Sequence, residues 1–126
     1  MKLLLDTHTL IWTLLDQSRF SSTSIDAIKD ESNQVFVSVL SAWEIEIKRA
    51  KGKLPMPTPV GEALEKQRFA TIPVTLDHVL AVESLPRHHR DPFDRMLIAQ
   101  AQLESMTLIT SDRTIRKYPV AVLPAA

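Results

Sequence analysis

Five short, mainly apolar runs punctuate the chain: Lys2–Leu5, Gln34–Val39, Ala70–Val74, Met106–Thr110 and Val120–Leu123. None alternates strictly between polar and apolar residues, as a strand with one wet face would. Continuous runs of this kind belong to parallel strands buried on both sides, and the segments between them carry helical periodicity. The sequence therefore predicts a parallel sheet covered by helices on both faces.

The helical segments follow from local signals. An apolar helix is expected over about Thr9–Leu15, and a Ser/Thr cluster at Ser21–Ser24 opens a second one through Ile28. Leu40, Trp43, Ile47 and Ala50 form one helical stripe that Gly52 stops, and Trp43, like Trp12, is expected in the core or in a dimer contact. Three prolines make Leu54–Pro59 a linker, and helices are expected over Val60–Phe69 and Asp77–Leu85. Asp91 before Pro92 is an acidic N-cap with proline at the first helical position, opening a helix through Phe93, Leu97, Ile98 and Ala101. A short helix is expected over Arg113–Lys117.

At 126 residues the chain fits one domain, 1–126, with a sizeable core. It has no cysteine, which rules out disulfides and zinc thiolates and fits a reducing, cytoplasmic setting. Asp6 and His8 interrupt the apolar amino terminus, so a strand and helix are expected there, neither a signal peptide nor a membrane span. Fifteen basic and fifteen acidic residues balance, which argues against a protein that coats nucleic acid with a whole basic face. Basic residues nevertheless gather beside three of the acids. Lys48, Lys51 and Lys53 follow Glu44, Arg87 and Arg90 precede Asp94, and Arg113, Arg116 and Lys117 follow Asp112.

The chemistry is carried by Asp6, Glu44, Asp94 and Asp112, each near a strand end or a helix start. In an open parallel sheet, ligands bind beyond the carboxyl ends of the strands where the strand order reverses, and all four acids can face such a crevice. Two carboxylates about 4 Å apart repel by roughly 4 kcal/mol at an effective dielectric near 20, so the cluster calls for a cation. An all-oxygen set favours Mg²⁺ or Mn²⁺, and phosphodiester hydrolysis is the natural reaction.

Each acid also has a local reading: Asp6 and Asp112 as helix caps, Glu44 as the i,i+4 partner of Lys48, Asp94 as the N3 acid of a capping box. Asp91 is read as a cap only. His8, His88 and His89 are read as solvated or packed, with His88 and His89 in an exposed loop. Thr7 and Ser111, beside the first and last acids, can steady a carboxylate or cap the backbone.

In the order LLLDTHTLIW, SVLSAWEIEIKRAKGKL, HRDPFDRMLIAQA and LITSDRTI, the chain resembles PIN-domain ribonucleases, most of all the VapC toxins of type II toxin–antitoxin modules. The resemblance covers essentially the whole chain. It implies a PIN-like three-layer α/β/α fold with a central five-stranded parallel sheet. It also implies a metal-dependent endoribonuclease that acts as a homodimer and is silenced by a VapB-type antitoxin. The family's acids fall on Asp6, Glu44, Asp94 and Asp112, with Thr7 and Ser111 at its hydroxyl positions. Competing readings are a Mg²⁺-binding phosphoacceptor receiver domain, a non-catalytic module and a PIN-type RNA-processing nuclease outside a toxin–antitoxin pair. The receiver needs an acidic pair after the first strand, where Asp6 stands alone.

Overall fold

The computed structural model describes residues 1–126. Its strands are β1 (Lys2–Leu5), β2 (Gln34–Ser38), β3 (Ala70–Ile72), β4 (Thr107–Thr110) and β5 (Val122–Pro124). The helices are α1 (Thr7–Leu15), α2 (Ser22–Lys29), α3 (Val39–Ala50), α4 (Val60–Glu65), α5 (Leu76–Glu83) and α6 (Pro92–Leu103), with 3-10 turns at Gln17–Arg19 and Ile115–Lys117. All four strand pairings are parallel, in the order β3-β2-β1-β4-β5. A receiver domain would run 2-1-3-4-5, so the rival doubly wound reading does not match this topology. The chain leaves β1 toward β2 and β3, then crosses back to β4 on the other side. The switch point lies between β1 and β4, at the centre of the sheet.

Successive β1 side chains point to opposite faces, and Leu3, Leu4 and Leu5 are all fully buried. Leu3 and Leu5 join Leu10, Val35, Val37, Ile45 and Ile109 in one core. Leu4 joins Ile72, Leu97, Ile98, Leu108 and Ile115 in the other. Helices α1 to α4 pack on the first core and α5 and α6 on the second, which gives the three layers.

Several elements differ from expectation at their edges. Strand β3 stops at Ile72, where Pro73 has no N–H to continue the ladder. Helix α4 ends at Glu65, and the expected helix after Asp112 contracts to a 3-10 turn. The buried residues of α3 are Ser41 and Ile45, not the Leu40–Trp43–Ile47–Ala50 stripe. Apolarity alone defines that stripe, whereas a Thr7–Ser41 hydroxyl bond of 3.1 Å lets a small polar residue face α1. Trp43 is consequently 60 % exposed and leans on Phe93, with ring centroids 5.8 Å apart. Trp12 does pack on the core, edge-on to Phe20.

Gly52 ends α3 in the left-handed region at φ 69°. Gly52 N–H donates to the Arg49 carbonyl and Lys53 N–H to the Lys48 carbonyl, a Schellman closure.

Because β1 is packed on both sides, Leu4→Ala and Leu5→Ala should each destabilise the chain by about 2–5 kcal/mol in urea unfolding. A loss under about 1 kcal/mol for either one would mean that its face of the sheet is not covered as described.

Candidate active site

Asp6 is the first residue beyond β1 and the N-cap of α1. Its Oδ1 accepts the Thr9 N–H at 2.8 Å, and its Oδ2 accepts the Thr110 hydroxyl. Thr110, fully buried at the end of β4, is also the acceptor for the Asp112 N–H at 3.0 Å. One threonine therefore ties the first acid to the backbone of the last across the switch point. Burial pushes the Asp6 carboxyl up, against the downward pull of the Thr110 and Thr9 hydrogen bonds.

Asp112 caps the turn that follows it, its Oδ1 accepting the Thr114 N–H at 2.8 Å, while its Oδ2 faces His89 Nε2 at 2.7 Å. Burial raises its pKa, but the hydrogen bonds from His89 and from the Thr114 N–H outweigh that and leave it lowered.

Helix α6 supplies Asp94. Asp91 caps this helix as expected, its Oδ1 accepting the Phe93 and Asp94 N–H groups at 2.8 and 3.3 Å. Asp94 Oδ2 lies 3.3 Å from His89 Nε2. The Asp94 carboxyl is pushed up to about 7, first by burial and then by the charges of Asp91, Asp6 and Glu44, with His89 opposing. Acids from α3, from α6 and from the end of β1 thus act on one carboxylate.

Glu44 sits on α3, with its side chain 12 % exposed and Lys48 Nζ 3.2 Å from its Oε2. The i,i+4 pair read from the sequence is present, and the charge still reaches Asp94. Lys48, Lys51, Lys53 and Arg90 line a groove of about 460 Å³ that also contains Glu44, Asp91 and Phe93. The basic rim therefore borders the acids. Another depression, of about 630 Å³, lies at the opposite, amino-terminal end of β2 and β3 and contains none of the four acids.

Two hydroxyl positions and one histidine stand differently from expectation. Thr7 is buried and spends its hydroxyl on Ser41, joining α1 to α3. Ser111 is exposed and makes no side-chain hydrogen bond; the hydroxyl that reaches the acids is that of the preceding Thr110. A residue at the very end of a central strand is interior, whereas the next one has already left the sheet. His88 is exposed as expected, but His89 is turned inward, 14 % exposed, between Asp94 and Asp112. The signal available was its place two residues before the Asp91 cap, which folds the loop back over α6.

The donors suit a hard divalent cation: ligand atoms of His89, Asp94 and Asp112 lie within 4.8 Å of one another, with Asp6 and Glu44 acting on the same carboxylate. The mutual repulsion that lifts Asp94 is the force such a cation would relieve.

The PIN domain model matches residues 3–121. Ribonuclease VapC22 of Mycobacterium tuberculosis is 25% identical over 118 residues, covering 91% of this chain and 90% of that protein. Ribonuclease VapC16 of the same organism is 38% identical over 53 residues, 40% of this chain and 38% of that one. The crystal structure of VapBC2 from Rickettsia felis bound to a promoter DNA fragment aligns at TM-score 0.77 with 14% identity, over 100% of both chains. FitAcB from Neisseria gonorrhoeae aligns at TM-score 0.69 with 20% identity, over 97% and 96%. These structures share the fold, and the family match runs from β1 to the residue before β5. The chain belongs to the PIN-domain family.

Proposed function

We propose that this chain is a Mg²⁺- or Mn²⁺-dependent endoribonuclease, the toxin of a type II pair, held silent by a VapB-type antitoxin and working as a homodimer. The observation that carries the chemistry is the convergence of the four acids at the β1/β4 switch point: Asp94 and Asp112 meet at His89 Nε2, Asp6 and the Asp112 backbone meet at Thr110, and the charges of Asp6 and Glu44 act on Asp94. The ribonuclease relative that matches over nine-tenths of the chain supports RNA as the substrate. Solved complexes named as VapBC and toxin–antitoxin assemblies support the antitoxin as partner.

Asp6, Glu44, Asp94 and Asp112 would hold the cation, which when bound aligns and acidifies a water and neutralises charge developing on the phosphate. The chain's own work is to keep those carboxylates in place. Thr9 and Thr110 fix the plane of Asp6, and Thr114 and His89 fix Asp112. Lys51, Lys53 and Arg90, exposed along the neighbouring groove, would take the flanking phosphates. No helix is long and apolar enough to cross a membrane.

Asp6→Asn, Glu44→Gln, Asp94→Asn and Asp112→Asn should each lower RNA cleavage with Mn²⁺ by more than about 100-fold, since metal sites lose that much even from supporting groups. Asp91→Asn should stay within about 10-fold of wild type, because asparagine also caps. Cleavage rates on one labelled RNA decide this, and four active variants would remove the nuclease reading.

The raised pKa of Asp94 gives stability a definite sign. Without metal, the folded chain holds a proton at Asp94 that the unfolded chain has lost between the ordinary value of 3.8 and about 7. Stability therefore falls as pH rises through that window. Asp94→Asn should flatten the fall and, in chelator at about pH 8, melt higher than wild type by on the order of 5 °C. Mn²⁺ should raise the wild-type Tm, with the gain shrinking below about pH 7 as protons compete at Asp94. Melts in chelator and in Mn²⁺ from about pH 5 to about pH 8 test both statements.

Replacing Lys48, Lys51 and Lys53 together by alanine should weaken RNA binding and reduce the salt slope by about 2, the loss of three contacts to a single strand. An unchanged slope in a salt titration would return these lysines to an ordinary solvated surface.

A further inference from the structure

We propose that His89 is a positioning residue: its imidazole is held with the proton on Nε2 and donates to Asp112, fixing that carboxylate for its work in the crevice. This rests on the nuclease reading above and adds a role for a residue that the four acids alone do not require.

The proton's place follows from two contacts. A neutral imidazole has one donor and one acceptor nitrogen, and which is which depends on the partners. The Asp91 backbone N–H can only donate, and it lies 3.1 Å from His89 Nδ1. Nδ1 is therefore the acceptor, and the ring proton sits on Nε2. That nitrogen faces Asp112 Oδ2 at 2.7 Å and Asp94 Oδ2 at 3.3 Å, both acceptors. Ligation of a metal through Nε2 would need its lone pair and would move the proton to Nδ1, against the Asp91 N–H. A doubly protonated ring meets the same conflict. His89 is close enough to the carboxylates to be counted as a third ligand, but its hydrogen bonds assign it to orienting one.

The loop that carries it is built to hold this pose. The Tyr118 hydroxyl, on a side chain 4 % exposed overall, accepts the His88 and His89 N–H groups at 3.1 and 2.8 Å and donates to the Pro86 carbonyl at 2.7 Å. Arg95 reaches the Pro86 carbonyl at 2.9 Å and the Val82 carbonyl at 3.0 Å. Arg95 adjoins Asp94 on α6, and Tyr118 closes the turn that follows Asp112. The clamp thus fastens the loop to both elements whose acids the imidazole meets.

The experiment has two arms. Long-range ¹H–¹⁵N spectra of the metal-free wild-type chain, with His89 assigned by its loss in His89→Gln, should show the neutral Nε2–H tautomer. The Nδ1–H form or an imidazolium near neutral pH would overturn the proposal. In the second arm, Mn²⁺ titration followed by electron paramagnetic resonance should give His89→Ala an affinity about 10- to 100-fold below wild type. His89→Gln, whose amide N–H reaches about as far as Nε2, should recover most of that loss. The bound Mn²⁺ should carry no imidazole ¹⁴N coupling in the wild type. Unchanged affinity in His89→Ala, or a ¹⁴N coupling that disappears in His89→Gln, would also overturn the positioning role. Failure of the wild type to cut RNA would count against the nuclease reading alone, since tautomer and Mn²⁺ affinity are read without any substrate.

Discussion

Thr110 holds the structure's centre together. Its hydroxyl donates to a buried carboxylate at the end of β1 and receives the backbone of Asp112 beyond β4, so the two middle strands of the sheet are joined at the point where their ladder stops. An ionised carboxyl as buried as Asp6, 3 % exposed, is costly without such partners. The Thr9 N–H and the Thr110 hydroxyl supply one to each oxygen, yet the carboxyl still titrates above its usual value. The site therefore starts from an acid that the fold restrains geometrically but does not fully compensate electrically.

That shortfall spreads outward. Asp94 feels Asp91, Asp6 and Glu44 together, and only His89 among its neighbours pulls the other way. Glu44 has Lys48 beside it, but that lysine is 37 % exposed at its side chain, and an exposed pair of this kind contributes little. Lys51, Lys53 and Arg90 lie along the groove rather than among the acids, so a chain with no net charge keeps a negative crevice next to a positive rim. Such an arrangement would attract a cation to one place and a polyanion to the next, which a uniformly charged face would not do.

How much of this was legible in the sequence follows from the range of the interactions. Apolar runs and capping residues are local, so the parallel sheet, its two covered faces and the Asp91 cap could be read directly. The strand order could not, since β1–β4 pairing joins residues about a hundred positions apart. The Ser41 contact with Thr7, the Thr110 bridge and the inward turn of His89 all depend on partners distant in sequence. Apolarity alone does not pick out the buried face of α3, because a buried serine carries no hydrophobic signal. Thr110, one position before Ser111, carries the hydroxyl that reaches Asp6, and at a strand's end one position is the difference between interior and solvent.

Capping and chemistry looked like alternatives for Asp6 and Asp112, and the geometry makes them simultaneous. Each carboxylate gives one oxygen to a backbone N–H of the turn that follows it and turns the other inward, to Thr110 in one case and His89 in the other. A cap at a strand end thus has a second use: it fixes the plane of the carboxylate, which a cation site needs as much as charge. Asparagine keeps the capping oxygen and removes the charge, so loss of metal response without loss of fold is the signature of this dual role. A carboxylate serving only as a cap would lose neither.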